Sequence, residues 1–249
     1  MLRSAHDLFG SSLKATDGEI GRCQDFLFDD ARWTIRYMVA DTGTWLRGRK
    51  VLISPISLGH PDWDNEHFPV DLTRDQIENA PDLDEDAPVS RQFEKHWFDY
   101  FGYAYYWLGS DLWGSYSHPV TPVPPPQPVD LVDTAQLSLG DDHLRSLREV
   151  RTYHIAASDG QIGHLDDLIV DDEDWSIRYL VVDTHNLLPA HRVILSPHWT
   201  KDVDWAERLV KVDLDREQIR QCPPYDEGVT IQREYEERLH EHYGKDKYW

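Results

Sequence analysis

Cysteine is nearly absent: the 249 residues hold only Cys23 and Cys222. Two thiols at unrelated positions make neither a disulfide framework nor a zinc site, because both need cysteines, or cysteines with histidines, in spaced sets. Packed or free thiols are expected. Long apolar runs are missing too. No stretch approaches the roughly 18 residues of a membrane span. The opening ten residues, MLRSAHDLFG, have neither the basic segment nor the apolar core of an export signal. The chain therefore reads as a soluble, unexported protein of the cytoplasm. Positive charge is also in short supply: 25 Lys and Arg face 46 Asp and Glu, a formal net charge of −21. Nonspecific nucleic-acid binding draws its affinity from cationic side chains that displace phosphate counterions, so a field of this sign argues against it. The deficit is spread along the chain. Residues 2–107 carry 11 cationic and 19 acidic side chains, 108–143 carry none and 5, and 144–249 carry 14 and 22, which leaves no hidden basic domain.

The motifs that announce catalysis are lacking as well. There is no G-x-S-x-G elbow, no phosphate-binding P-loop and no G-x-G-x-x-G turn. With 46 acidic residues, two carboxylates close in sequence carry no information about glycosidase-like chemistry. A non-enzyme without a cofactor is the expectation. The acidic runs Asp29-Asp30 and Asp171-Asp172-Glu173-Asp174 lack the alternating ligands and fixed glycine of an EF-hand loop. Acidic side chains suit tight turns, where they bond neighbouring amides. His240 and His242 stand two apart on a helical stretch and diverge by about 200°, so solvated histidines and no metal are expected.

What the sequence does contain, it contains twice. Residues 17–42, DGEIGRCQDFLFDDARWTIRYMVADT, return at 159–184 as DGQIGHLDDLIVDDEDWSIRYLVVDT, with no gap. The offset, 159 − 17 = 142, runs from Leu2-Arg3-Ser4 and Leu144-Arg145-Ser146 to Tyr106-Trp107 and Tyr248-Trp249. About 37 of roughly 106 aligned positions are identical, more than composition yields in gapless register. Within each copy Asp-Gly marks a tight turn, and 20–28 reads as a half-buried strand. A polar connection leads to Trp33, Ile35, Tyr37 and Val39 at alternate positions, with Thr34, Arg36 and Met38 facing the other way. The unit is a β-hairpin, and it needs further strands to cover its apolar face.

Those strands are legible. Val51-Leu52-Ile53-Ser54-Pro55, matched by Val193-Ile194-Leu195-Ser196-Pro197, is a buried strand stopped by proline. Residues 67–71 and 209–213 follow as another strand, and 8–15 and 150–157 open each copy. Capping boxes at Thr73 to Gln76 and Asp215 to Gln218 start short helices that end before Pro81 and Pro223. Residues 90–101 and 231–243 are amphipathic helices, the first carrying Phe93, Trp97 and Tyr100 or Phe101. The fold expected is mainly β with α: two tandem small β-barrels, each followed by short helices. Their boundaries are 1–107 and 144–249, with a Pro-rich, acidic spacer at 108–143 that includes Pro119, Pro122, Pro124, Pro125, Pro126 and Pro128.

The pattern Asp17, Gly18, Ile20, Gly21, Asp25, Trp33, Arg36, Tyr37, Val39, Asp41 and Thr42, repeated 142 positions on, resembles the signature of the PRC-barrel family. That family is known from the cytoplasmic part of the photosynthetic reaction-centre H subunit and from a ribosome-maturation factor. The resemblance implies small barrels that bind protein partners. It covers the barrel part of both copies, and the chain lacks the H subunit's transmembrane helix and the maturation factor's separate N-terminal domain. The functional expectation is a non-catalytic interaction or scaffold protein, acting as a homodimer or as an intrachain pseudo-dimer. The alternative is an accessory factor in photosynthetic or ribosomal assembly, and a metal-dependent binder or enzyme is the remaining class. Candidate interaction residues are Arg36 and Arg178 on the hairpins, with Asp25 and Asp167 as their cross-strand partners, and Trp97 on the aromatic helix. The list closes with Trp113 and Tyr116 in the spacer and Trp107 and Trp249 at the copy ends, where a repeated Tyr-Trp reads as a tail that docks in a groove.

Overall fold

The computed structural model describes residues 1–62, 67–84, 88–121, 143–185 and 191–249. Pro122, Pro124, Pro125, Pro126 and Pro128 of the expected spacer lie outside these. The chain is mainly β, with two sheets and few helices. No helix among the described residues is long and apolar enough to cross a membrane.

The first copy contains β1 (Leu2–Ser4), α1 (Ala5–Leu8), β2 (Ser12–Ala15), β3 (Gly18–Asp29), β4 (Thr34–Asp41), β5 (Lys50–Ile53) and β6 (His67–Pro69). Helices α2 (Arg74–Glu78) and α3 (Arg91–Phe101) follow. The second copy repeats the order with one added strand, β12: β7 (Leu144–Ser146), α4 (Leu147–Val150), β8 (His154–Ala157), β9 (Gly160–Asp171), β10 (Ile177–Asp183), β11 (Arg192–Leu195), β12 (Thr200–Asp204), β13 (Leu209–Val212), α5 (Arg216–Arg220) and α6 (Arg233–Tyr243). The sheets run β5-β4-β3-β2-β6 and β11-β10-β9-β8-β13-β12. Among the described residues no ladder joins β5 to β6 or β11 to β12.

Local chemistry accounts for most element ends. Thr73 and Asp215 each accept from the backbone of the glutamine three residues on, whose side chain returns the bond, so both expected capping boxes form. Ser54 and Ser196 cap one-turn 3-10 helices that begin at Pro55 and Pro197, which is how each Ser-Pro stops its strand. Gly102 and Gly244 end α3 and α6 in the left-handed conformation. Trp33 and Trp175 also have positive φ, 49° and 62°. Such a backbone costs a bulky residue about 1–2 kcal/mol, and both indoles are buried. Trp33 stacks on Phe28 at 5.3 Å.

The spatial units are cut differently from the repeat. One consists of Leu8–Ser146 with Glu173–Trp175, and the other of Met1–Asp7, Leu147–Asp172 and Ser176–Trp249. The short Leu-Arg-Ser strands account for the difference. In the first-copy unit β7 pairs antiparallel with β3, Ser146 opposite Leu27. Its Ser146 hydroxyl donates to Asp25 at 2.5 Å and Arg145 pairs with Asp30 at 3.0 Å. In the second-copy unit β1 pairs with β9, Ser4 opposite Ile169. There Ser4 donates to Asp167, His6 N donates to the same carboxylate at 3.2 Å, and Arg3 lies 3.6 Å from Asp172. Each copy thus supplies the strand that extends the other copy's hairpin. The hairpin tip Glu173–Trp175 is likewise part of the first-copy unit, where Ile35 N donates to Trp175 O at 2.8 Å and the indole lies 6.1 Å from Phe26.

Strand β4 departs from the expected alternation. Every residue from 34 to 40 is buried, because both faces are covered. Tyr37 meets Trp97 edge-on at 5.2 Å, and the Arg36 guanidinium lies 3.9 Å from the ring of Tyr106.

Candidate functional site

Both amphipathic helices carry a glutamate on the buried face. Glu94 lies between Arg91 and Trp97-Phe98 on α3 and is fully buried; Glu236 holds the equivalent place on α6, beside Leu239 and His240. A buried carboxylate needs partners, and the repeat supplies two tyrosines and an arginine in each copy. In the first-copy unit Tyr37 donates to Glu94 at 3.0 Å and Tyr106 at 2.7 Å. Arg91 pairs with Glu94 at 2.9 Å, and His143 Nε2 lies 2.8 Å away. In the second-copy unit Tyr179 donates to Glu236 at 2.8 Å, Tyr248 at 2.7 Å, and Arg233 pairs at 2.9 Å. Burial first, then the neighbouring glutamate, holds the phenols of Tyr37 and Tyr106 well above their ordinary pKa, and Tyr179 is shifted the same way.

These clusters are what the repeated Tyr-Trp tails dock on. Arg36 lies 3.9 Å from the Tyr106 ring and 4.9 Å from Trp113, and its Nη1 donates to Leu112 O at 2.6 Å. Arg178 lies 4.4 Å from the ring of Tyr248. On the outer side Arg91 stacks 4.5 Å from Trp107 and Arg233 4.2 Å from Trp249. Each tail is therefore clamped between two arginines, one from the hairpin and one from the helix.

The hairpin arginines form salt bridges, but not with Asp25 and Asp167. Arg36 pairs with Asp29 at 3.2 Å and Arg178 with Asp171 at 3.4 Å. The register is the cause, since Asp25 stands opposite Val39 and Asp167 opposite Val181, three residues along from the arginines; Arg36 and Arg178 are themselves the extra residues of bulges, Tyr37 opposing Leu27 while Ile35 opposes Phe28. A bulge re-aims the side chain it carries. Asp25 and Asp167 instead accept from Ser146 and Ser4 of the exchanged strands.

The other candidates divide by burial. Trp97, Trp113 and Arg36 are interior, at 1%, 3% and about 0% exposure, so none offers a free face. Trp113 donates its indole N–H to Asp174 O at 2.9 Å. Trp107 is half-buried, while Tyr116 and Trp249 are exposed. The structure brings Arg36, Trp97, Trp107 and Trp113 together around Glu94, and Arg178 and Trp249 around Glu236. Reading the sequence missed both glutamates; the available signal was an acid at the same place on both apolar helix faces. His240, expected to be solvated, is buried, with Nδ1 2.8 Å from Asp246 O. His242 Nε2 is 2.7 Å from Gln218 O. Asp29 accepts from the amides of Ala31 and Arg32, as an acidic turn should. Cys23 and Cys222 are buried and form no disulfide, and burial pushes the Cys222 thiol up to about 12.

Comparison of the chain with protein-family models returned no match, and neither did comparison with curated proteins.

Proposed function

We propose that the protein is a non-catalytic interaction or scaffold module built from two PRC-barrel-like units, and that the tail of each copy organises its binding surface. The observation that carries this reading is the pair Trp107 and Trp249. The same indole recurs in each copy, stacked on an arginine that is itself ion-paired to a buried glutamate, with part of the ring still facing solvent. A large aromatic already held in place loses little freedom on binding, and this is the character of an interface anchor. Exposed Tyr100, Leu108 and Tyr116 belong to the same unit as Trp107. The formal charge of −21 opposes a second copy and favours a basic protein surface. Trp97, the candidate interaction residue of the aromatic helix, is covered within its own unit, which shifts the reading from homodimer toward a basic partner.

The test is affinity capture with the tagged full chain, wild type against the Trp107→Ala/Trp249→Ala double variant, quantified by mass spectrometry. Sedimentation at low and high salt accompanies it. Expected is a basic protein enriched by the wild type and lost both in the variant and at high salt. Strictly monomeric sedimentation with no tryptophan-dependent capture refutes the reading. Enrichment of reaction-centre or ribosomal components would instead support the accessory-factor alternative.

A further inference from the structure

One cluster in the second-copy unit is used neither by the tail nor by the exchanged strand. His164 on β9 stands opposite Asp183, the last residue of β10, and His185 follows two residues later. Gly163 makes the approach of the two strands feasible, since a Cβ there would lie 1.7 Å from the Asp183 carbonyl oxygen. The ligand atoms of His164, Asp183 and His185 all fall within 4.8 Å of one another, and the two Nδ1 atoms are 3.3 Å apart. Neutral imidazoles can share a proton at that distance. It is also the edge of a zinc tetrahedron, about 3.3 Å for Zn–N bonds of about 2.05 Å.

We propose that His164, Asp183 and His185 bind a borderline divalent transition metal, with Zn²⁺ as the representative ion and the fourth position left to water. Two imidazoles and one carboxylate suit zinc, nickel or copper; calcium and magnesium take all-oxygen sets. Arg192 is opposite Asp183 in the ladder, but its guanidinium bonds Asp166 at 2.7 Å and Glu227 at 3.2 Å. Arg192 acts on Asp183 through its charge and not through an ion-pair contact, in a chain whose net charge attracts cations. The arrangement belongs to the second copy only. The corresponding residues of the first are Arg22, Asp41 and Gly43, so one ion per chain is predicted.

That difference also provides the variants. Zn²⁺ is titrated calorimetrically into the full chain in a weakly coordinating buffer at neutral pH, for wild type, His164→Arg, His185→Gly and His154→Ala. The first two install the first-copy side chains. His154, opposite His164 on β8, is the control outside the cluster. Expected is one saturable ion in the wild type, binding at least about tenfold weaker in His164→Arg and His185→Gly, and no change in His154→Ala. Cobalt should give a visible d–d band that zinc displaces and that both cluster variants lose. Circular dichroism reports folding, and if His164→Arg does not fold, His185→Gly decides alone. Absence of saturable heat and of the cobalt band overturns the proposal. Undiminished binding in the folded cluster variants does so too, since it assigns the ion to others of the 13 histidines.

Discussion

Removing the buried carboxylates separates two clusters that look alike in sequence. Glu94→Ala leaves the Tyr37 and Tyr106 phenols without their acceptor and Arg91 without its partner, and the side-chain exposures of Glu94 and Arg91 are 0% and 14%. Breaking a buried ion pair from one side costs about 3–5 kcal/mol, because the surviving charge stays desolvated. Glu236→Ala removes the corresponding tyrosine and arginine bonds, without the further contact that His143 makes to Glu94, and the Arg233 side chain is 50% exposed and Tyr248 is exposed, so both can turn to water. Its cost should be nearer to one or two lost hydrogen bonds, about 1–3 kcal/mol. The expected gap is about 2 kcal/mol, with Glu94→Gln, which keeps an acceptor but not the charge, cheaper than Glu94→Ala. The assay is urea unfolding of the full chain, followed by fluorescence and near-ultraviolet dichroism. Each transition is fitted separately, since two units need not unfold together. Equal costs, or a larger cost for Glu236→Ala, would refute the argument that solvent access to the orphaned partner sets the penalty.

Alkaline pH should unfold the protein through the same phenols. Tyr37, Tyr106 and Tyr179 have raised folded-state pKa values, so the stability they contribute is fully present below the unfolded tyrosine value of about 10 and is lost as pH rises beyond it. A melting temperature that stays flat from about pH 9 to 11.5 contradicts this. Gly163→Ala should destabilise by about 2–3 kcal/mol through the clash with the Asp183 carbonyl, whereas Gly10→Ala, with nothing within 4 Å, should cost only the left-handed strain of about 1–2 kcal/mol. Similar losses in chemical denaturation would disprove the close approach. Residues 8–146, which hold β7, should unfold more cooperatively than residues 1–107, which lack it. The reverse order would show that the exchanged strand contributes nothing.

Much of the scaffold was legible because its signals are local. The capping boxes, the Ser-Pro stops, the hairpin and the amphipathic helices each follow from a few adjacent residues, and the repeat doubled every one of them. What escaped is non-local. Leu-Arg-Ser is too short to show a period, and its role depends on a hairpin more than a hundred residues away. The register of the hairpin, which sets Asp25 opposite Val39 and Asp167 opposite Val181, leaves no mark in an alternating pattern, so the arginines were assigned to the wrong aspartates. Glu94 and Glu236 interrupt an apolar stripe and are understood only with the tyrosines that reach them. His164 and Asp183 were each visible but meet only through the ladder.

The reciprocal Leu-Arg-Ser strands bear on how such a gene could change. Recombination that excised one copy would leave the survivor's first strand without the hairpin it joins here, and its own hairpin without the strand that extends it. Two such remnants could restore both pairings by trading strands. The duplication is in that sense a ratchet: easily kept, and costly to undo.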